Sequence, residues 1–131
     1  MIYRIEKEDF RLDLELDKWC DDNGEINADL TIRVGCEGFY GSTTVDFVAE
    51  DFQIFLKEMQ KLQDTLTGRA ELKEPYDREP FLTFEGDGRG HIHVNGCIES
   101  RRSDWTQMLT FENEIDQTFL PMKCVDKEEL E

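Results

Sequence analysis

The sequence predicts an α+β domain: an antiparallel β-sheet or sandwich of about six to seven strands, with one long amphipathic helix packed on one face. Three observations predict it. Apolar and polar residues alternate over Phe10 to Leu16 and again over Ile26 to Val34, the period-two pattern of strands with one buried and one solvated face. At Glu50 the period changes, and Phe52, Phe55, Leu56, Met59, Leu62 and Leu66 fall on a single helical stripe. Strand patterns then resume, so β and α segments do not alternate often enough for a parallel doubly wound fold.

The elements follow in order. Asp21-Asp22-Asn23-Gly24 is a turn, since Asn-Gly readily supplies positive φ, so the first two strands form an antiparallel hairpin. Gly35, Gly38 and Gly41 suggest a bend or bulge before a third strand over Tyr40 to Val48. The helix runs from about residue 50 to 66, with Glu50 and Asp51 complementing its dipole and Gly68 placed as a C′ glycine. Ala70 and Leu72 mark a short strand, and Pro75 and Pro80 bracket a loop. Phe81 to Phe84 and Ile92 to Ile98 are strands on either side of the tight turn Gly86-Asp87-Gly88-Arg89-Gly90. Trp105 to Phe111 is the last strand. Thr118 then reads as a helix N-cap, because Pro121 fits a first turn better than a helix interior. The charged end, Cys124 to Glu131, is expected to fray.

Length and composition bound the function. A chain of 131 residues reads as a single domain, 1–131, long enough to bury about two-thirds of its unfolded surface without a metal or disulfide staple. Nine Phe, two Trp and three Tyr argue against disorder despite the high charge. The formal net charge is −16. Phosphate backbones and anionic membranes attract Lys and Arg, so direct nucleic-acid binding and membrane binding are poor readings and a basic protein partner is a good one. Solubility alone is the rival reading of the same acidity. Cys20, Cys36, Cys97 and Cys124 form no C-x-x-C, and Met1 to Lys7 contain no apolar leader core, so reduced thiols in a cytoplasm are expected. Cys36 and Cys97 fall inside strand patterns, where cysteine acts as a small hydrophobe.

Each candidate site has a plain structural counterpart. The glycine-rich turn lacks the Lys-Ser/Thr and the following helix that a phosphate loop needs, and a β-hairpin accounts for it. His91 and His93 share a strand face and could ligate Zn²⁺ if carboxylates or a thiol completed the shell. With Ile92 and Val94 directed inward, two solvent-facing histidines are the expected state, with no metal. No nucleophile elbow is present, and no Cys–His pair can be placed together from sequence. Acidic pairs such as Asp21-Asp22 and Glu112/Glu114 arise by chance among 31 carboxylates. No catalytic residue and no cofactor are expected.

The acids are unevenly spread: residues 1–51 hold 14 acids against 5 bases. Alternation sets Asp13, Glu15, Asp17 and Asp29 on the outward face of the first hairpin, with Asp21, Asp22 and Glu25 at its tip. Together these seven would project a coherent negative field toward a basic partner. The alternative is an ordinary solvated face.

The run Gly86-Asp87-Gly88-Arg89-Gly90-His91-Ile92, then Val94, Gly96, Leu109 and Phe111, and finally Asp116-Gln117-Thr118-x-Leu120, resembles the WapI-type immunity proteins and related bacterial proteins. The preceding helix, ending before Gly68-Arg69-Ala70-x-Leu72, fits the same layout, so the resemblance covers about residues 45 to 121. It implies an immunity protein that binds a toxin's C-terminal domain and blocks its active site. Such toxin domains are often nucleases with basic surfaces, for which an acidic inhibitor makes physical sense. It carries over no catalytic residues. Two further readings stand beside it: a metal-binding protein or enzyme using His91 and His93, and an acidic structural or regulatory module.

Overall fold

The alternating segments become long, paired strands in the computed structural model, which describes residues 2–102, 104–120 and 122–125. Strands β1 (Ile2–Lys7), β2 (Phe10–Cys20), β3 (Ile26–Cys36) and β4 (Phe39–Phe47) precede the helix α1 (Ala49–Thr65). After it come β5 (Thr67–Lys73), β6 (Pro80–Asp87), β7 (His91–Arg102), β8 (Trp105–Asp116), a 3₁₀ turn (Gln117–Phe119) and β9 (Lys123–Val125). Every pairing is antiparallel. One sheet has the order β4-β3-β2-β1-β9 and the other β5-β6-β7-β8.

The fold class is the predicted one, with nine strands among the described residues rather than six or seven. The two extra strands are β1 and β9, which pair with each other. Ile2 to Lys7 interleaves apolar and charged residues without a clean alternation, and β9 is three residues long, so neither carries a period of its own. The C-terminal end is therefore not all frayed: Cys124 lies opposite Tyr3. Residues 126–131, and the reading of Pro121, lie outside the described part.

Local chemistry explains most boundaries. Glu37 and Gly38, both at positive φ (47° and 94°), make a two-residue turn between Cys36 and Phe39. The glycines of that stretch thus mark a hairpin turn rather than a bulge, because a right-twisted ribbon selects a turn with positive φ at both central residues. At the end of α1 the left-handed position is Leu66, φ 63°, whose N–H bonds Leu62 O. Gly68 follows inside β5. The last helix-like turn is capped by Asp116, whose carboxylate accepts from Thr118 N at 2.9 Å, so Thr118 is the capped residue and not the cap.

One apolar cluster joins the two sheets and the helix. Leu12, Leu14, Leu30 and Ile32 face it from the first sheet, and Leu72, Leu82, Phe84, Ile92 and Val94 from the second. The helix is shared between them. Phe52 meets Tyr3 and Phe47 of the first sheet (ring centroids 5.5 and 6.5 Å), while Phe55 meets Phe84 of the second (5.9 Å). Burying rings of this size contributes about 1.5–3 kcal/mol each. That load on one stripe is why the helical period was so clear in the sequence.

Candidate partner-binding surface

The outward face of the first sheet is where the acids expected to contact a partner lie, and it divides into two zones. In the zone nearer the centre, Asp13 and Glu15 are each only 2% exposed. Arg4 donates to Asp13 Oδ1 through Nε at 2.7 Å and to Oδ2 through Nη2 at 3.4 Å, and Arg11 Nε reaches the same Oδ2 at 3.3 Å. Arg33 Nη2 donates to Glu15 Oε1 at 3.0 Å. Alternation did place these two acids opposite the apolar core, but the expected solvated carboxylates are instead capped by arginines. The cause is register. Strand β1 sets Arg4 opposite Asp13, and β3 sets Arg33 opposite Asp13 and diagonal to Glu15. A pair in this state is neutral from outside and costly to break.

The second zone is the projecting end of the β2–β3 hairpin. Beyond Leu16 and Ala28 the two strands leave the core, and Asp17, Lys18, Trp19, Asp22 and Glu25 are exposed, with Asp29 half-buried. Asp21 has an internal task. Its Oδ1 accepts from Asn23 N and Glu25 N, both at 2.9 Å, and its Oδ2 from Asn27 Nδ2 at 3.3 Å. These bonds, Glu25 N–H first among them, hold the Asp21 carboxyl below the usual carboxylate range. Asp21 therefore fixes the turn that presents its neighbours.

Register adds a residue that alternation missed. Asp17 lies opposite Asp29, and Asp29 opposite Asp46 on β4. Three aspartates thus form one row across three strands, where facing Cβ atoms are about 5 Å apart and like charges repel. Two positions further along β2, on the same face, stands Trp19, 50% exposed. Ile26, 69% exposed, lies nearby on the opposite face. An acidic row thus lies beside an uncovered tryptophan. Neither feature was legible along a single strand: the first needs the register, the second the projection of the hairpin.

His91 and His93 are exposed on the outward face of β7, as alternation predicted. They hold different carboxylates: His91 Nδ1 is 3.0 Å from Asp87 Oδ2 and 3.9 Å from Glu114 Oε1, whereas His93 Nε2 is 2.9 Å from Glu112 Oε1. Among the described residues no three His, Cys, Asp or Glu side chains are grouped so as to hold a metal ion. The hydrogen bond and charge of Asp87, with Glu114 and Asp116 beyond, raise the His91 pKa above its ordinary value. All four cysteines are free thiols, Cys20 and Cys124 exposed and Cys36 and Cys97 half-buried. No helix among the described residues is long and apolar enough to cross a membrane.

The glycine turn is the predicted hairpin, joining β6 to β7 with Gly88 and Gly90 at φ 81° and 99°. Asp87 Oδ1 accepts from Arg89 N at 2.6 Å and His91 N at 3.2 Å. Gln117 N donates to Gly90 O at 2.8 Å, and His91 lies opposite Asp116 in the ladder. The two short motifs on which the family resemblance rested are thus halves of one corner. Their bonds are internal to the fold and hold the corner together.

These features define an acidic two-sheet α+β protein with a helix bridging its layers and an uncovered, negatively charged hairpin end. Residues 3–126 match the model of the Immunity protein WapI-like family, and the chain belongs to that family. The match takes in the first hairpin, which the shorter resemblance from about residue 45 did not reach. Comparison with curated proteins yields no match, and comparison with solved structures yields none. Family membership indicates a role in toxin immunity, and hence a toxin as partner.

Proposed function

We propose that this chain is a toxin-neutralising protein that acts by binding and not by catalysis, and that it covers a basic toxin domain with the projecting end of its first hairpin. The contact would use Asp17, Asp22, Glu25, Asp29 and Asp46, with Trp19 as the apolar anchor. Asp21 supports the turn from within, and Asp13 and Glu15 support the sheet beneath. The observation that carries this reading is the in-register row Asp17–Asp29–Asp46, three like charges aligned on one face. Such a row costs folding free energy, and a row of cations on a partner would recover it.

A nuclease fits best as the toxin domain. Its substrate groove would be basic, and an acidic sheet end seated in that groove would exclude nucleic acid. The chain would meet its toxin in the cytoplasm, where free thiols persist. The test is titration calorimetry against the toxin domain encoded beside the gene, at rising salt. Binding should weaken steeply with salt, and Asp17→Lys with Asp29→Lys should weaken it by about a hundredfold, as for loss of close charge pairs at a steered interface. Binding indifferent to both would overturn this placement of the contact.

A further inference from the structure

We infer that the free edge of β8 accepts an extended basic polypeptide segment as a further strand of the second sheet. The sheet ends differ in how they are protected. Strand β5 is short, breaks register between Leu72 and Lys73, and packs against α1. Strand β9 has three residues. Strand β4 leans on the second sheet, with Thr43 Oγ1 donating to Glu99 O at 2.8 Å. Strand β8 is neither short nor broken in register. It runs twelve residues, Trp105–Asp116, without Pro, Gly, Lys or Arg. Its ladder with β7 is continuous from His91↔Asp116 to Arg102↔Trp105, and no strand lies on its other side among the described residues. Edge strands of soluble proteins are ordinarily blunted by shortness, bulges, Pro, charge or a covering element, because open N–H and C=O groups template another strand. Of the sequence devices β8 carries only charge, in Glu112, Glu114 and Asp116.

Charge identifies the occupant. Alternation sets Met108, Thr110, Glu112, Glu114 and Asp116 on the outward face, with Met108 62% exposed. The chain already places one cation against this strand: Lys7 Nζ donates to Glu114 O at 3.0 Å. A segment with Lys or Arg at alternate positions would face Glu112 and its neighbours, and its other positions would cover the half-buried Leu109 and Phe111. A second copy of this chain is the wrong partner. Pairing β8 with β8 would bring together two molecules of formal charge −16, which repel each other. This inference is independent of the toxin reading, since it uses the opposite sheet and asks only for an extended basic segment.

The probe is an eight-residue peptide alternating Lys and Val, compared with a Glu–Val counterpart and with the Lys–Val peptide broken by a central Pro. Amide exchange of the full chain should slow at alternate residues between Thr106 and Asn113 with Lys–Val alone. Thr110→Lys, or Met108→Lys if the first variant unfolds, should weaken that binding by about tenfold through repulsion along the edge. Asp17→Lys with Asp29→Lys should leave it unchanged. Protection confined to the first hairpin, equal binding of the Pro-broken peptide, or a dimer joined through β8 would each overturn the inference.

Discussion

Asp13 and Asp29 sit on the same face of the same hairpin, yet substitution should affect them oppositely. Asp13 is buried against Arg4 and Arg11, so Asp13→Ala removes a buried carboxylate from its ion pairs with both. Breaking a buried pair costs about 3–5 kcal/mol, and the loss should appear as a lowered urea midpoint with an unchanged slope. Asp29 faces two aspartates, so Asp29→Asn should be neutral or stabilise by up to about 0.5 kcal/mol. His91 supplies a pH dependence. Its pKa is raised in the folded protein by Asp87, so folded chain binds the proton more tightly than unfolded chain. The stabilisation is fully present below the unfolded value of about 6.5 and is lost as pH rises through the folded pKa. Urea midpoints of the parent and His91→Gln should therefore differ near pH 6 and converge toward pH 8.

At the scale of the elements, the β7–β8 ladder is held by a fit between a glycine and a ring. Gly96 lies opposite Phe111, whose ring occupies the space a Cβ on Gly96 would take, with Cε2 3.0 Å from that position. The same ring packs on Phe10 of the first sheet at 6.1 Å. Gly96→Val should displace Phe111 and loosen the join between the sheets. Overpacking of this kind costs about 1–3 kcal/mol, read from thermal unfolding, and Phe111→Leu in the same chain should recover part of it. Gly86 serves the neighbouring join, because the Leu66 carbonyl passes where its side chain would be. The hairpin sequence is thus set by what lies against it as well as by its turn.

For the whole molecule, charge sets opposite responses to salt in folding and in binding. A formal net charge of −16 repels itself in the compact state, and at 0.15 M ionic strength the screening length falls to about 8 Å. Added salt should raise the melting temperature of the free chain, while weakening its association with a basic partner. A melting temperature that fell with salt would show that the arginine-capped pairs, and not the repulsion, dominate.

Much of this protein was legible along the chain. The helix, the first hairpin, the glycine turn and the α+β class follow from period and turn chemistry, which are local properties of covalent geometry. The family resemblance was legible too, because each of its two motifs is a short continuous run of residues. The acidic face was only half legible. Alternation states which side of a strand a residue takes, and it did so correctly for Asp13, Glu15, Asp17 and Asp29. It does not state what stands opposite. Strand β1 has no clear period, and its pairing with β2 is what buries Asp13 beneath Arg4. Asp46 joins Asp17 and Asp29 only because β3 lies between β2 and β4 in that register. Sequence by itself determined the sign of the charge and the sheet face that carries it. The tertiary structure decided which carboxylates are paired with arginine and which stay exposed, because pairing across strands is a long-range contact that no local pattern encodes.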